Sequence, residues 1–161
     1  MSAKINAELA EALVQQAHKE LYACQFYLAA SMYFESQNFS GMAKWCMKES
    51  DEEREHAKMI FAYLNKRDAT VSIQAIPSPE ANFESALEVF QKALELELEV
   101  SDNLQALYDL AGENKDAATQ RFAQDMLVAQ VDAGDELRTI IGKCEAYGAL
   151  PGLLYHLDAE I

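Results

Sequence analysis

The chain reads as an all-α protein, a four-helix bundle with a long crossover between its second and third helices and a short fifth helix at the C-terminal end. Three observations predict this. Ala, Leu, Glu, Lys and Gln fill the long stretches, while the three prolines and six glycines sit mostly near proposed element ends. Apolar residues recur at helical spacing over four long segments. Two connections are short, which makes their helices antiparallel neighbours, and one is long and proline-bearing.

The first helix is predicted from about Asn6, an N-cap, to about Gln37, with Leu9, Leu13, Ala17, Leu21, Cys24, Leu28 and Met32 at helical spacing. Roughly 30 residues at about 1.5 Å each make a rod of about 45 Å. Asn38-Phe39-Ser40-Gly41 breaks the pattern, with Ser40 as the expected cap of a second helix that ends near Arg67. The stretch from Asp68 to Asn82 holds β-branched residues and Pro77-Ser78-Pro79 and cannot be helical throughout, so it reads as the crossover. Asn82 is the expected cap of a third helix that carries Leu87, Phe90, Leu94, Leu104 and Leu107 and stops near Gly112. Asp116 caps a fourth, reaching about Tyr147, and Pro151 fits the first turn of a short fifth helix through Leu157.

The length of 161 residues fits a single domain over 1–161, and an apolar half is enough to fill its core. No apolar run is long enough to span a membrane, and Met1-Ser2-Ala3-Lys4-Ile5-Asn6 has no signal-peptide core, so a cytoplasmic protein without membrane partners is expected. Cys24, Cys46 and Cys144 are odd in number and widely spaced, which predicts reduced thiols rather than disulfides or a zinc knuckle. The excess of 27 acidic over 13 basic residues, a formal charge of −14, repels nucleic acid and raises the local concentration of cations. The same charge also serves simply as a solubilising surface.

Each long helix interrupts its inner apolar stripe with polar residues near its middle. In the first, Leu13, Ala17, Glu20, Cys24, Tyr27 and Ser31 share a face; in the second, Trp45, Glu49, Glu53, His56 and Ile60 do. The third has Phe90, Leu94, Glu97 and Leu104, and the fourth Phe122, Met126, Gln130, Ala133 and Leu137. Glu53 and His56 form an E-x-x-H, whose side chains project from one helix face and can reach one ion. Burying ionised carboxylates is costly without compensation, and a cation supplies it. Several carboxylates with one imidazole suit iron or manganese better than zinc. Glu53, between neighbours on the other helices, is placed to bridge two metal ions. E-x-x-H alone is also common as an exposed i,i+3 pair, so the coordinated interruption of four helices carries the inference.

These segments resemble the non-haem ferritin family over almost the whole length. Glu20-Leu21-Tyr22-Ala23 with Tyr27-Leu28 resembles its first-helix site motif, and Glu52-Glu53-Arg54-Glu55-His56-Ala57 is similar to the animal heavy-chain pattern letter for letter. Leu94-Glu95-Leu96-Glu97 and Gln130-Val131 resemble the third- and fourth-helix segments. The resemblance implies a ferroxidase-active subunit of an iron-storage cage, a homo-oligomer of twenty-four copies acting on iron and dioxygen. Glu20, Glu53 and His56 would hold the first iron of a di-iron centre, Glu53 and Glu97 the second, with Gln130 and Tyr27 beside them. Glu52 would be a mobile transit carboxylate and Glu55 a residue on the cavity side. Here Fe(II) is both substrate and redox partner.

The sequence also departs from the family. Ala129 and Ala133 remove carboxylates of a third iron site, Lys58 replaces a nucleation carboxylate, and Gln120 and Ala123 stand where acidic channel residues are expected, with Asp125 nearby. No histidine lies between His56 and His156, and Arg54 replaces the haem-ligating methionine of bacterioferritins, so haem is not expected. His18 and His156 read as surface or interface residues, and the six methionines as core filling. Two other readings stay open: a passive, light-chain-like cage subunit without catalysis, and a di-iron oxidase acting on an organic substrate.

Overall fold

The computed structural model describes residues 4–150 and 152–161. Its described residues form five helices and no strand: α1 (Ala7–Ser36), α2 (Ser40–Lys66), α3 (Ala86–Glu113), α4 (Ala117–Tyr147) and α5 (Leu153–Glu160). α1 packs along α2 and α3 along α4, α1 joins the two pairs through α3, and α5 closes one end against α2 and α4. None of these helices is long and apolar enough to cross a membrane.

Asn6 and Asp116 cap α1 and α4 as expected, each side chain accepting from backbone N–H groups of the first turn. The cap of α3 is Ser85 rather than Asn82: Ser85 Oγ accepts from the Glu88 N–H, and the Glu88 carboxylate takes the Glu84 N–H in return. That reciprocal arrangement is a variant of the capping box, and its S-x-x-E signature was present in the sequence. The crossover therefore runs on to residue 85. Pro151 lies outside the described residues, and Gly152 at φ 90° leads into α5.

α1, α2 and α3 end in one way. Asn38, Asp68 and Lys115 take positive φ of 63°, 55° and 56°, and around each the next N–H reaches back to the carbonyl five residues earlier, from Phe39 to Phe34, Ala69 to Leu64 and Asp116 to Ala111. This is the Schellman arrangement, which most often uses glycine at the left-handed position. α3 ends at Glu113, one residue past Gly112 and as expected, but its left-handed position is Lys115 and not a glycine; Gly41 lies inside α2.

Ser40 is the first residue of α2 rather than its cap, and the N-cap residue Phe39 offers no side-chain hydrogen bond. α5 supplies the acceptor instead: Asp158 Oδ1 receives the Met42 N–H at 2.7 Å. A Cβ on Gly41 would lie 1.9 Å from the Asp158 carbonyl oxygen, so only glycine admits this approach. Leu157 is buried and Tyr155 stacks on Phe39 at 4.7 Å.

The core divides into two. An aromatic cluster near α5 holds Phe26, Tyr27, Phe34, Trp45, Phe83 and Phe90, and an aliphatic one at the far end holds Leu9, Leu13, Ile60, Leu64, Leu104 and Leu107. In α1 the buried face swings from Leu13 and Ala17 to Ala23, Phe26, Ala30 and Phe34, leaving Leu28 and Met32 37% and 53% exposed. Steps of four residues overshoot the 3.6-residue turn by about 40° each, which carries Leu28 and Met32 off the core, while Leu21 still packs against the edge of the aliphatic cluster. In α4 the inner position after Gln130 is Gly134, and Ala133 is only half-buried.

Loss of the Asp158 acceptor strands a buried N–H, so Asp158→Ala is expected to lower stability by about 1–2 kcal/mol in urea unfolding and to open α5 to limited proteolysis. Gly41→Ala should produce the same release by steric means. Unchanged unfolding and cleavage in both variants would mean that the α2–α5 contact contributes nothing.

Candidate metal centre

Between the two apolar clusters lies one polar layer, built from the middle of each long helix. Glu20 of α1, Glu53 of α2, Glu97 of α3 and Gln130 of α4 are 1%, 3%, 3% and 9% exposed, so this layer is interior. His56, one turn beyond Glu53, is half-buried at its edge. Its Nδ1 lies 3.1 Å from Glu53 Oε2 and 4.0 Å from Glu20 Oε2. Glu20, Glu53 and His56 each offer a ligand atom, all within 4.8 Å of one another.

Glu97 stands beside this trio and is held from two sides. Tyr27 donates its hydroxyl to Glu97 Oε1 at 2.7 Å, and Gln130 Nε2 donates to Glu97 Oε2 at 2.9 Å and to the Glu97 carbonyl at 3.2 Å. Gln16 Nε2 donates to Glu20 Oε1 at 3.0 Å. Sequence reasoning missed Gln16, although its position four residues before Glu20 places it on the same helix face.

The layer gathers negative charge with little to balance it. Among the described residues, the ion pairs of Glu20 and Glu53 are to His56 alone. Burial, foremost, and the neighbouring carboxyls hold both glutamates well above the usual carboxylate range. Glu49, one turn before Glu53, is pushed up to about 7 by burial and by Glu52 and Glu136. Burial and the adjacent Glu97 raise Tyr27 well above its ordinary value, so it acts as a donor. A multivalent cation would relieve all of these shifts at once, and the donor set of carboxylates with one imidazole fits an oxygen-preferring metal.

The remaining sequence candidates stand elsewhere. Glu52 and Glu55 are exposed on the outer face of α2, paired with Lys48 at 3.4 Å and Lys58 at 2.7 Å. They line an open surface basin with Asp51 that His56 also borders. Ala123 is wholly buried in the aliphatic cluster, and Asp125 is exposed and pairs with Arg121 at 2.8 Å. The three cysteines are free thiols, two of them buried. His18 ties the crossover to α1, since its Nδ1 lies 2.7 Å from the Val14 carbonyl and its Nε2 accepts the Gln74 N–H at 2.8 Å. His156 is exposed beside Tyr147.

The chain is similar to known proteins over nearly its whole length. The ferritin-like domain profile matches residues 10–147. A bacterial non-heme ferritin of Staphylococcus saprophyticus is 33% identical over 157 residues, covering 98% of this chain and 94% of the relative. One of Bacteroides fragilis is 34% identical, covering 98% of both. Among solved structures, an iron-soaked PmFTN variant superposes with a TM-score of 0.92 at 35% identity, covering 96% of this chain and 98% of the other. An open pore ferritin from the archaeon Archaeoglobus fulgidus gives 0.95 at 30% identity, covering 98% and 96%.

Because Glu20 and Glu53 keep protons in the folded chain that unfolded carboxyls release, the native state binds more protons and stability must fall as pH rises. The fall begins above the unfolded carboxyl value of about 4.3 and continues until the raised groups ionise. Metal-free protein is expected to melt lower at about pH 9 than at about pH 6, and the doubly substituted Glu20→Gln, Glu53→Gln chain to lose part of that difference. Equal pH slopes in calorimetry would contradict the assignment.

Proposed function

The chain belongs to the ferritin family, and from that premise we infer that it is an iron-storage subunit that oxidises Fe(II) with dioxygen at a di-iron centre and stores Fe(III) as an oxyhydroxide mineral. The observation that carries this reading is the convergence of Glu20, Glu53 and His56 on one point, with Glu97 buried beside them, in a layer where His56 is the only ion-pair partner of Glu20 and Glu53 among the described residues. Ferrous ions are the substrate. Glu20, Glu53 and His56 hold the first, and Glu53 and Glu97 the second; Glu20 and Glu53 surrender protons as the ions bind. Each ion loses one electron, and the pair reduces dioxygen to the level of peroxide. Tyr27 and Gln130 fix the two oxygens of Glu97, which keeps that carboxylate from rotating as the charge of its ion changes. Glu52 and Glu55 serve as transit and cavity-side carboxylates in the basin outside His56.

Such a subunit works in a closed shell of like copies, twenty-four by family resemblance, in the cytoplasm. Leu28, Met32, Leu98, Val128 and Val131 are large, apolar and exposed, and they supply faces that neighbouring copies cover. A passive cage subunit would have no use for three buried glutamates at one level. An oxidase for organic substrates needs a pocket on the order of 300 Å³ or more. The cavity that reaches this layer has a volume of about 190 Å³.

Anaerobic protein loaded with a pair of ferrous ions per subunit and mixed with oxygenated buffer should give a fast ferric absorbance in stopped flow. Glu53→Ala should slow it by roughly a hundredfold or more, since the bridging ligand serves both ions. An equally slow signal in both proteins would favour the passive cage.

A further inference from the structure

We propose that dioxygen and ferrous ions reach the centre by separate routes, with dioxygen passing through an apolar cavity between α2 and α4; this rests on the ferroxidase reading above. The cavity, about 190 Å³, has Glu20, His56 and Gln130 at its inner end. Its walls are Met59, Leu104, Phe122 and Met126, and its outer rim is formed by the exposed Met59, Asp125 and Ala129.

The lining decides which substrate it suits. A ferrous ion sheds its water only where oxygen ligands replace it, and the walls between rim and Glu20 carry only hydrocarbon and thioether surface. The rim carboxylate of Asp125 is already engaged by Arg121 Nε at 2.8 Å. Dioxygen is small and apolar, pays no such desolvation cost, and partitions into apolar voids that stay free of ordered water. The cation has a different approach, because His56 also borders a surface basin where Asp51, Glu52 and Glu55 stand with Lys44 and Lys48. Two of these carboxylates are paired with lysines as Asp125 is with Arg121, but the basin offers three carboxylates against one at the rim. His56 is thus the partition between an acidic side and an apolar side.

The aperture is a fixed feature. Phe122 stacks on Tyr63 at 4.3 Å with an interplanar angle of 11°. The Tyr63 hydroxyl is in turn held by Arg67 Nη1 at 2.6 Å and lies 2.9 Å from Thr119 Oγ1, and Arg67 pairs with Asp116 at 2.9 Å. This network clamps the ring that forms one wall.

Ala129→Phe fills the rim from an exposed position and leaves every ligand in place. The variant should show a roughly fivefold or larger rise in KM for dioxygen with kcat unchanged at saturating gas. Anaerobic titration should give wild-type Fe(II) stoichiometry and affinity. Xenon under pressure should occupy the cavity in crystals of the metal-free wild type and be absent from the variant. Weakened or slowed Fe(II) binding with unchanged KM for dioxygen would make the cavity the ion route and overturn the proposal, as would unchanged values of both or a wild-type cavity without xenon. A wild type that binds xenon but oxidises no iron overturns the ferroxidase reading and this proposal with it. That failure is recognised in the unmodified protein, before any variant is compared.

Discussion

Three buried carboxyl groups at one level of the bundle are the constraint around which this chain is organised. Removing carboxylates from water costs several kcal/mol each even after the protein relaxes. The neutral side chains that donate to the carboxyl groups of Glu20 and Glu97 are Gln16, Tyr27 and Gln130. The chain tolerates this arrangement by placing a large apolar cluster on either side of the layer, so that the favourable burial of two cores is set against one unfavourable slab. The slab is a reservoir of interaction energy that a cation can draw on, and the fold keeps it in register by spreading it over four separate helices.

The rest of the architecture serves that register. Three Schellman turns stop α1, α2 and α3 at defined residues, so the hairpin partners α1 with α2 and α3 with α4 cannot slide. The crossover is pinned to α1 through the two ring nitrogens of His18, and to α3 through Lys92, which meets both Glu80 and Glu88. Phe83 plugs the aromatic cluster against Phe26 and Tyr33. At the other end the Arg67, Asp116, Tyr63 and Thr119 network ties the end of α2 to the start of α4.

Helical periodicity, composition and connection lengths made the bundle legible from sequence, and the buried glutamates were legible because each broke an apolar stripe. What escaped was whatever depends on a partner far away in the chain. Ser40 looked like a cap because Asp158 could not be seen to reach Met42, and His18 looked like a surface residue because Gln74 had no visible address. Leu28 and Met32 looked interior because repeated four-residue steps mimic helical periodicity over short distances while drifting round the helix. Gln16 was missed for lack of an apolar contrast around it, and the cavity lined by Phe122 and Met126 is a void that no residue pattern encodes. The misplaced cap at Asn82 is a different failure, since Ser85 and Glu88 carried a local signal.

The contact between Asp158 and Met42 spans 116 positions, in a fold whose other interactions are mostly between neighbouring elements. Helical bundles fold fast because their contacts are short in sequence. α1 and α2 can therefore pair early, yet the first turn of α2 keeps an unsatisfied N–H until α3 and α4 have been laid down and α5 returns to its start. The last helix thus acts as a latch on the order of events: the hairpin that carries Glu20, Glu53 and His56 is locked at its turn only after the hairpin that carries Glu97 and Gln130 has arrived.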